Sequence, residues 1–418
     1  MSTHPIQVPG THYINGQWQS GSTDSFHWQT TDSVGGDILW DGYAATAREI
    51  QAATRAARQA FVREAWSTLT VQERLERLQP FVEWVRNHSD AFAMLISAET
   101  GKPLWESKTE VQAVMTKLDL SLRAYQERCP DKIIDVNQTP RARLHYRPHG
   151  VVAVFGPYNM PAHLPNGHIL PALLAGNSVV FKPSEMTPAV GALYSLGMTA
   201  ADLPAGVFNM LQGARETGEL LAACSELDGI FFTGSSATGQ ALQRVSLEYP
   251  QRILALEMGG NNPLIVHEPG DLHAAATMTI LSAYITSGQR CTCARRLIVP
   301  HGKDGDDFIS ELRRQITGIR VGGYNQDPEP FLGPVISQTA ARAVLTVQSE
   351  LVQKGGQVLI ESRLQEENTA LLSPGLIDVT SISNRSDAEV FGPLLQLIRV
   401  PDFEQALREA NRTHYGLA

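Results

Sequence analysis

The feature that most constrains this chain is a series of short apolar runs separated by helical stretches between Val151 and Phe232. Val151–Phe155, Ser178–Phe181, Val207–Leu211 and Gly229–Phe232 are too short for helices and too evenly apolar for strands with one wet face. Runs of this kind, joined by helix-length connections, predict an α/β fold whose parallel sheet is covered on both faces. In such a sheet, ligands sit where the strands end at their carboxyl edge. Polar residues gather at those ends: Asn159, Lys182, Glu185, Gly234 and Ser235.

The flanking segments are structural. Tyr13–Trp18 carries a hairpin signal with Asn15-Gly16 at the turn. Ile50, Ala53, Ala57 and Phe61 fall on one helical face, and Leu75, Leu78, Val82 and Val85 on another. A third helical region around Leu95 and Ile96 ends near Gly101. The alternating stretch Ala142–Tyr146, bounded by Pro140 and Pro148, reads as an exposed strand suited to pairing with another subunit. From Ile253 the run ILALEMGGNNPLIV reads as strand, turn, strand, and Leu272–Ile285 and Glu404–Asn411 read as helical.

A chain of 418 residues predicts two or more lobes. Its net charge of -9 argues against nucleic acid or an anionic membrane as the main partner. The first ten residues lack the layout of a secretory signal, and no apolar run reaches membrane-spanning length. Cys129, Cys224, Cys291 and Cys293 are too few for a disulfide framework, which points to a reducing cytoplasm.

Three side chains suit carbonyl chemistry. Cys291 follows Gly288-Gln289-Arg290, where a glycine admits close approach and an adjacent cation favours the thiolate. On residues alone it is either a nucleophile or a small buried hydrophobe. Cys293 raises a metal pair, but no second Cys or His pair stands at zinc-ligand spacing, so no metal is expected. Glu257 ends an apolar strand immediately before Gly259-Gly260; a carboxylate there must be paired or used, as a structural partner or as a base that activates water. Asn159, in GPYNMP, is either a turn former or a donor to an oxyanion.

Two further segments suit a nucleotide. Lys182, Ser184 and Glu185 (KPSE) follow a buried strand, where Lys and Glu could hold ribose hydroxyls; the carboxylate would repel a 2′-phosphate and favour NAD over NADP. An exposed ion pair is the other reading. Gly234, Ser235, Ser236, Ala237, Thr238 and Gly239 (GSSATG) follow a strand and open a helix, which suits a pyrophosphate or a simple helix cap.

Taken together, FGPYNMP, FKPSE, FTGSSATG, LEMGGNNP, GQRCTCA and EVFGP, in that order from Phe155 to Pro393, resemble the aldehyde dehydrogenase superfamily. INGQW and ETGKP extend the resemblance over nearly the whole chain. It implies a parallel-sheet NAD-binding lobe (1–127 and 148–256), a protruding oligomerisation hairpin (128–147) and an α/β catalytic lobe (257–418). It also implies Cys291 as nucleophile, Glu257 as general base, and Asn159 with the Cys291 N–H as oxyanion hole. Lys182 and Glu185 would hold the adenosine ribose, Gly234 to Gly239 would lie by the pyrophosphate, and Glu389 and Phe391 would position the nicotinamide half.

Within the superfamily, HGVVAVFGPYNMPAHLPNGHILPALLAGN, LALEMGGNNPLIV and SGQRCTCARRL are similar to a bacterial group that oxidises a succinylated semialdehyde of arginine degradation. Tyr158, where Trp is commoner, and Asn261, where Lys is usual, fit that group. The implied small-molecule substrate is anionic, which would suit Arg290, Arg295 or Arg296 near the mouth of the site. The alternatives are a dehydrogenase for another small semialdehyde and a catalytically silent chain. Members of the superfamily continue beyond the HYGLA end, and from this resemblance poor solubility or low activity of the chain is expected; a homo-oligomer is expected when the fold is whole.

Overall fold

A computed structural model of the chain describes residues 8–63, 66–135 and 141–418. The chain divides into two compact units, one of Met1–Glu99 with Ser107–Glu257 and one of Thr100–Glu106 with Met258–Ala418.

The first unit begins with the hairpin β1 (His12–Ile14) and β2 (Gln17–Gln19), paired Tyr13 to Trp18. Its turn uses positive φ at Asn15 and Gly16, as an Asn-Gly hairpin requires. A separate two-stranded sheet, β3 (His27–Thr31) and β4 (Ile38–Tyr43), follows. Four helices come next: α1 (Ala47–Val62), α2 (Val71–Asn87), α3 (Ser89–Thr100) and α4 (Leu104–Arg128), of which Thr100 and Leu104–Glu106 belong to the second unit. α1 and α2 each open on a Thr-x-x-Glu capping box, Thr46 with Glu49 and Thr70 with Glu73. α3 stops where Gly101 takes a φ of 79°, a left-handed value that suits glycine.

β5 (Lys132–Asp135) and β6 (Arg141–Leu144) form a two-stranded antiparallel pair with exposed Ile133, Ile134 and Leu144. Of the predicted 128–147 segment, residues 136–140 lie outside the described residues. The unit then alternates strand and helix: β7 (Val151–Phe155), α5 (His163–Leu174), β8 (Ser178–Lys182), α6 (Pro188–Met198), β9 (Phe208–Met210), α7 (Arg215–Ala222), β10 (Gly229–Thr233), α8 (Ser236–Ser246) and β11 (Ile253–Glu257). The sheet order is β11-β10-β7-β8-β9-β1-β2, parallel from β11 to β9. Every residue of β7 and β8 is buried, so both faces are covered, as the uniform apolar runs predict.

The second unit carries β12 (Asn262–Ile265), α9 (Leu272–Tyr284), β13 (Ala294–Pro300), α10 (Lys303–Thr317), α11 (Gln338–Gln353), β14 (Gln357–Ile360), β15 (Gly375–Asp378), β16 (Leu394–Val400) and α12 (Phe403–Ala410). Its sheet runs β12-β13-β16-β15-β14, parallel except for β14 at one edge. Alternate side chains serve two cores. Leu297, Val299, Leu395 and Leu397 pack with Phe308 and Leu312 of α10. Ile298, Leu394, Ile398 and Val400 pack with Val344 and Leu351 of α11. Among the described residues no helix is long and apolar enough to cross a membrane.

Candidate active site

In the first unit, register brings the predicted residues to one edge of the sheet. Phe155 pairs with Lys182 and with Phe232, and Thr233 pairs with Glu257. The strands that precede Asn159, Lys182, Gly234 and Glu257 therefore end at one level, the carboxyl edge where such sheets bind ligands. Asn159 is buried in the turn between β7 and α5. Glu257 departs from expectation. It is exposed, and β11 is the half-buried edge strand of the sheet rather than an interior one. The apolar ILAL run is half-buried along its length, and the carboxylate that ends it is exposed.

Lys182 is buried, and its ammonium donates to the carbonyls of Gly213 (2.7 Å) and Pro183 (3.0 Å). It stands 3.7 Å from Glu185, whose carboxylate is about half exposed at 47%. Burial pulls the Lys182 ammonium below its ordinary value and Glu185 offsets part of that. Trp28 donates its indole N–H to the Glu185 carbonyl at 3.1 Å, fixing this loop, and Ser184 is buried within it. Ser235 caps α8 by accepting from the Thr238 N–H, and Ser236, Ala237 and Thr238 leave the helix's first turn open to solvent. Gly234 is required locally, since a Cβ there would stand 2.5 Å from the Phe232 ring. A buried cation, a half-exposed carboxylate and an open helix N-terminus fit the ribose and pyrophosphate of a dinucleotide.

In the second unit the predicted residues gather at the opposite edge, before the strands. Cys291 is partly exposed in the turn that leads into β13. Asn262, at the start of β12, donates its side-chain amide to the carbonyls of Cys291 (2.6 Å) and Cys293 (2.9 Å). Upstream, Thr286, Ser287 and Gly288 take φ of 57°, 52° and 70° in succession. Left-handed backbone is unfavourable for a β-branched residue and persists only where the surroundings impose it. Glu106 does so here: it is buried and accepts from the Thr286 N–H (3.2 Å) and hydroxyl. Gly288 admits no side chain, because a Cβ would lie 2.1 Å from the Gly392 carbonyl. Cys293 is different: it is buried, and burial pushes its thiol up.

Arg290, Arg295 and Arg296 are not open cations at a mouth. Arg290 pairs with Glu106 at 2.8 Å and donates to the Thr286 hydroxyl. Arg295 is fully buried, donates to the carbonyls of Gly288 and Arg290, and lies over the Phe391 ring at 5.3 Å. Arg296 is buried and donates to the carbonyls of Asn261, Glu409 and Ala410. Arg295 and Arg296 organise backbone, and Arg290 is held by a carboxylate and a hydroxyl. Glu389 stands 3.6 Å from Arg295, and its buried Oε1 has no hydrogen-bond donor among the described residues. Burial pushes this carboxyl up and Arg295 offsets part of the rise. A ribose hydroxyl would satisfy that oxygen, so Glu389 and Phe391 also fit a nucleotide.

Sequence reasoning missed Glu106 and Asn262. Glu106 lies 180 residues from Thr286, and nothing local marks it. Asn262 sits in the quoted GGNNP segment, but its role depends on the register of β12 with β13. Among the described residues no cluster of His, Cys, Asp and Glu is placed to hold a metal ion.

A family model described as the aldehyde dehydrogenase family matches residues 18–418. The chain belongs to the aldehyde dehydrogenase family. This aldehyde dehydrogenase is 50% identical, over 97% of its length and 82% of the relative's, to N-succinylglutamate 5-semialdehyde dehydrogenase of Pseudomonas fluorescens (strain Pf0-1). A solved indole-3-acetaldehyde dehydrogenase of P. syringae, in complex with NAD+ and IAA, superposes with a TM-score of 0.92 at 27% identity, over 98% of this chain and 83% of that one. The γ-glutamyl-γ-aminobutyraldehyde dehydrogenase of Burkholderia cenocepacia J2315 gives a TM-score of 0.92 at 28% identity, over 99% of this chain and 83% of that one.

Proposed function

We propose that this aldehyde dehydrogenase oxidises N-succinylglutamate 5-semialdehyde to N-succinylglutamate with NAD, through a covalent intermediate on Cys291. The observation that carries the substrate is the 50% identity over 97% of the chain to a relative of that name.

The residues take the following roles. The Cys291 thiolate attacks the aldehyde carbon, and the new oxyanion accepts from the Asn159 amide and the Cys291 N–H. NAD, when bound, supplies the acceptor for the hydride that leaves that carbon. A thioester on Cys291 remains. Glu257 takes a proton from water, the hydroxide adds to the thioester, and the thiolate departs with the carboxylate product released. Partial exposure of Cys291 and exposure of Glu257 suit attack on an incoming aldehyde and contact with water. Lys182, Ser184 and Glu185 hold the adenosine ribose, and Gly234, Ser235, Ser236, Ala237, Thr238 and Gly239 receive the pyrophosphate. Glu389 and Phe391 position the nicotinamide half. The first unit is then the NAD-binding lobe and the second the catalytic lobe. The exposed apolar face of β5 and β6 supports a homo-oligomer built on that arm, and four free cysteines suit the cytoplasm.

The test is a panel of N-succinylglutamate, glutamate and succinate semialdehydes with the purified chain and NAD, followed by NADH absorbance. The succinylated aldehyde should give the largest kcat/KM. A preference of tenfold or more for either other aldehyde contradicts the substrate assignment.

A further inference from the structure

An anionic aldehyde needs a cation, and the arginines beside Cys291 are committed to the protein's own carbonyls and carboxylates. The substrate proposed above carries two carboxylates, one on the glutamate α-carbon and one at the succinyl end. A cation for them should be partly buried, uncommitted and carried by an element tied to the reacting centre.

α4 and α5 of the first unit present one. The two helices are joined along a stripe of α4 residues spaced four and then three apart, which places them on one face. Glu110 accepts from the N–H groups of Ala162 (2.9 Å) and His163 (3.0 Å), capping the start of α5. Four residues on, the Val114 carbonyl accepts from Asn166 at 3.1 Å. Three further on, the Lys117 ammonium lies 3.7 Å from the point where a Cβ on Gly167 would stand. Lys117 is half-buried, and among the described residues its ammonium makes no hydrogen bond or ion pair.

Among the described residues no ion pair neutralises this charge. Glu110, the carboxylate on the same face, is buried and engaged with α5. His168, next to Gly167, is held neutral: burial first and the Lys117 charge second bring it down to about 4. Its ring contacts the Thr233 hydroxyl at 3.2 Å. Glycine inside a helix costs about 1 kcal/mol relative to alanine, and at position 167 it leaves the space beside the ammonium open to a ligand atom. α5 begins four residues after Asn159, and Gly167 lies ~6 Å along the helix from its first residue. The α-carboxylate of the substrate is four C–C bonds from the aldehyde carbon, ~5 Å when extended, and the succinyl carboxylate is farther. That reach is of the order of the rise along α5 from its first residue to Gly167.

We propose that Lys117 receives a carboxylate of the aldehyde substrate and so sets the preference for anionic over uncharged aldehydes. The inference rests on the proposed function for the identity of the substrate, but not for the charge preference. Steady-state kinetics of the full chain with NAD would compare N-succinylglutamate 5-semialdehyde with hexanal, for wild type, Lys117→Ala and Lys117→Arg. Lys117→Ala should raise KM for the succinylated aldehyde about tenfold or more, with kcat and KM for hexanal within about twofold. Lys117→Arg should restore most of the loss. Equal effects on both aldehydes, or an unchanged KM for the anionic one, overturn the proposal. If wild type oxidises hexanal but not the succinylated aldehyde, the proposed substrate is wrong, and succinate semialdehyde takes its place in the same comparison. A preference for that anion lost in Lys117→Ala then supports the role of Lys117, and a preference retained overturns it.

Discussion

Asn262 holds the backbone on both sides of Thr292, donating one amide group to the carbonyls of Cys291 at 2.6 Å and Cys293 at 2.9 Å. The turn bearing the thiol is thereby pinned to the start of β12. Asn262→Leu removes both bonds while keeping a similar volume. A displacement near 1 Å at a reacting atom costs about 10²-fold in rate, so kcat should fall by about that factor. Binding of NAD, followed by quenching of protein fluorescence, should stay within about twofold.

Glu106 is a second positioning residue, because it holds Thr286 in left-handed backbone and neutralises Arg290. Glu106→Ala leaves Arg290 without its carboxylate. Breaking a buried ion pair costs about 3–5 kcal/mol, and urea denaturation should show a loss in that range. A change under about 1 kcal/mol would mean that the left-handed segment is held by other contacts.

The two cysteines should separate cleanly. Cys291→Ala should abolish aldehyde oxidation. Cys293→Ala, at a buried thiol raised by desolvation, should keep much of the activity and lose about 1 kcal/mol of stability through its small cavity. Equal activity losses in the two variants would undo the assignment of the nucleophile.

Buried His12 and Glu99 and half-buried His168 carry the largest shifts of the first unit near neutral pH. Burial brings His12 and His168 down to about 4, against 6.5 when unfolded. Each contributes stability that is present above pH 6.5 and lost as pH falls towards 4. Glu99 runs the other way: burial raises it to about 7, so its protonated form favours the folded state as pH falls from 7 to 4.5. Two groups oppose one, and stability should drop by roughly 3 kcal/mol between pH 6.5 and 4.5. In His168→Gln most of that drop should vanish. An unchanged slope of urea midpoint against pH in this variant would show that His168 titrates normally.

Much of the fold was readable because uniform apolar runs leave few alternatives. Val151–Phe155 is a strand to the residue, and the carboxyl-edge rule located Asn159, Lys182 and Gly234. What lay hidden depended on partners distant in sequence. Ile253–Glu257 and Asn262–Ile265 look like strand, turn, strand, yet they belong to separate sheets. The exposure of Glu257 follows from β11 being an edge strand, which an apolar run does not reveal. Arg295 and Arg296 look like surface cations until carbonyls from Gly288, Arg290, Glu409 and Ala410 are seen to satisfy them. Cys291, the proposed nucleophile, stands out by its motif, but the Glu106 and Asn262 supports around it do not.

In the proposed mechanism a thioester on Cys291 is released by water that Glu257 activates. Rapid mixing of Glu257→Gln with aldehyde and NAD tests it most directly, since hydride transfer survives this change while hydrolysis does not. A burst of NADH approaching one per active site should appear, then turnover slowed by about 10²-fold or more. Steady turnover at the wild-type rate with no burst would contradict it.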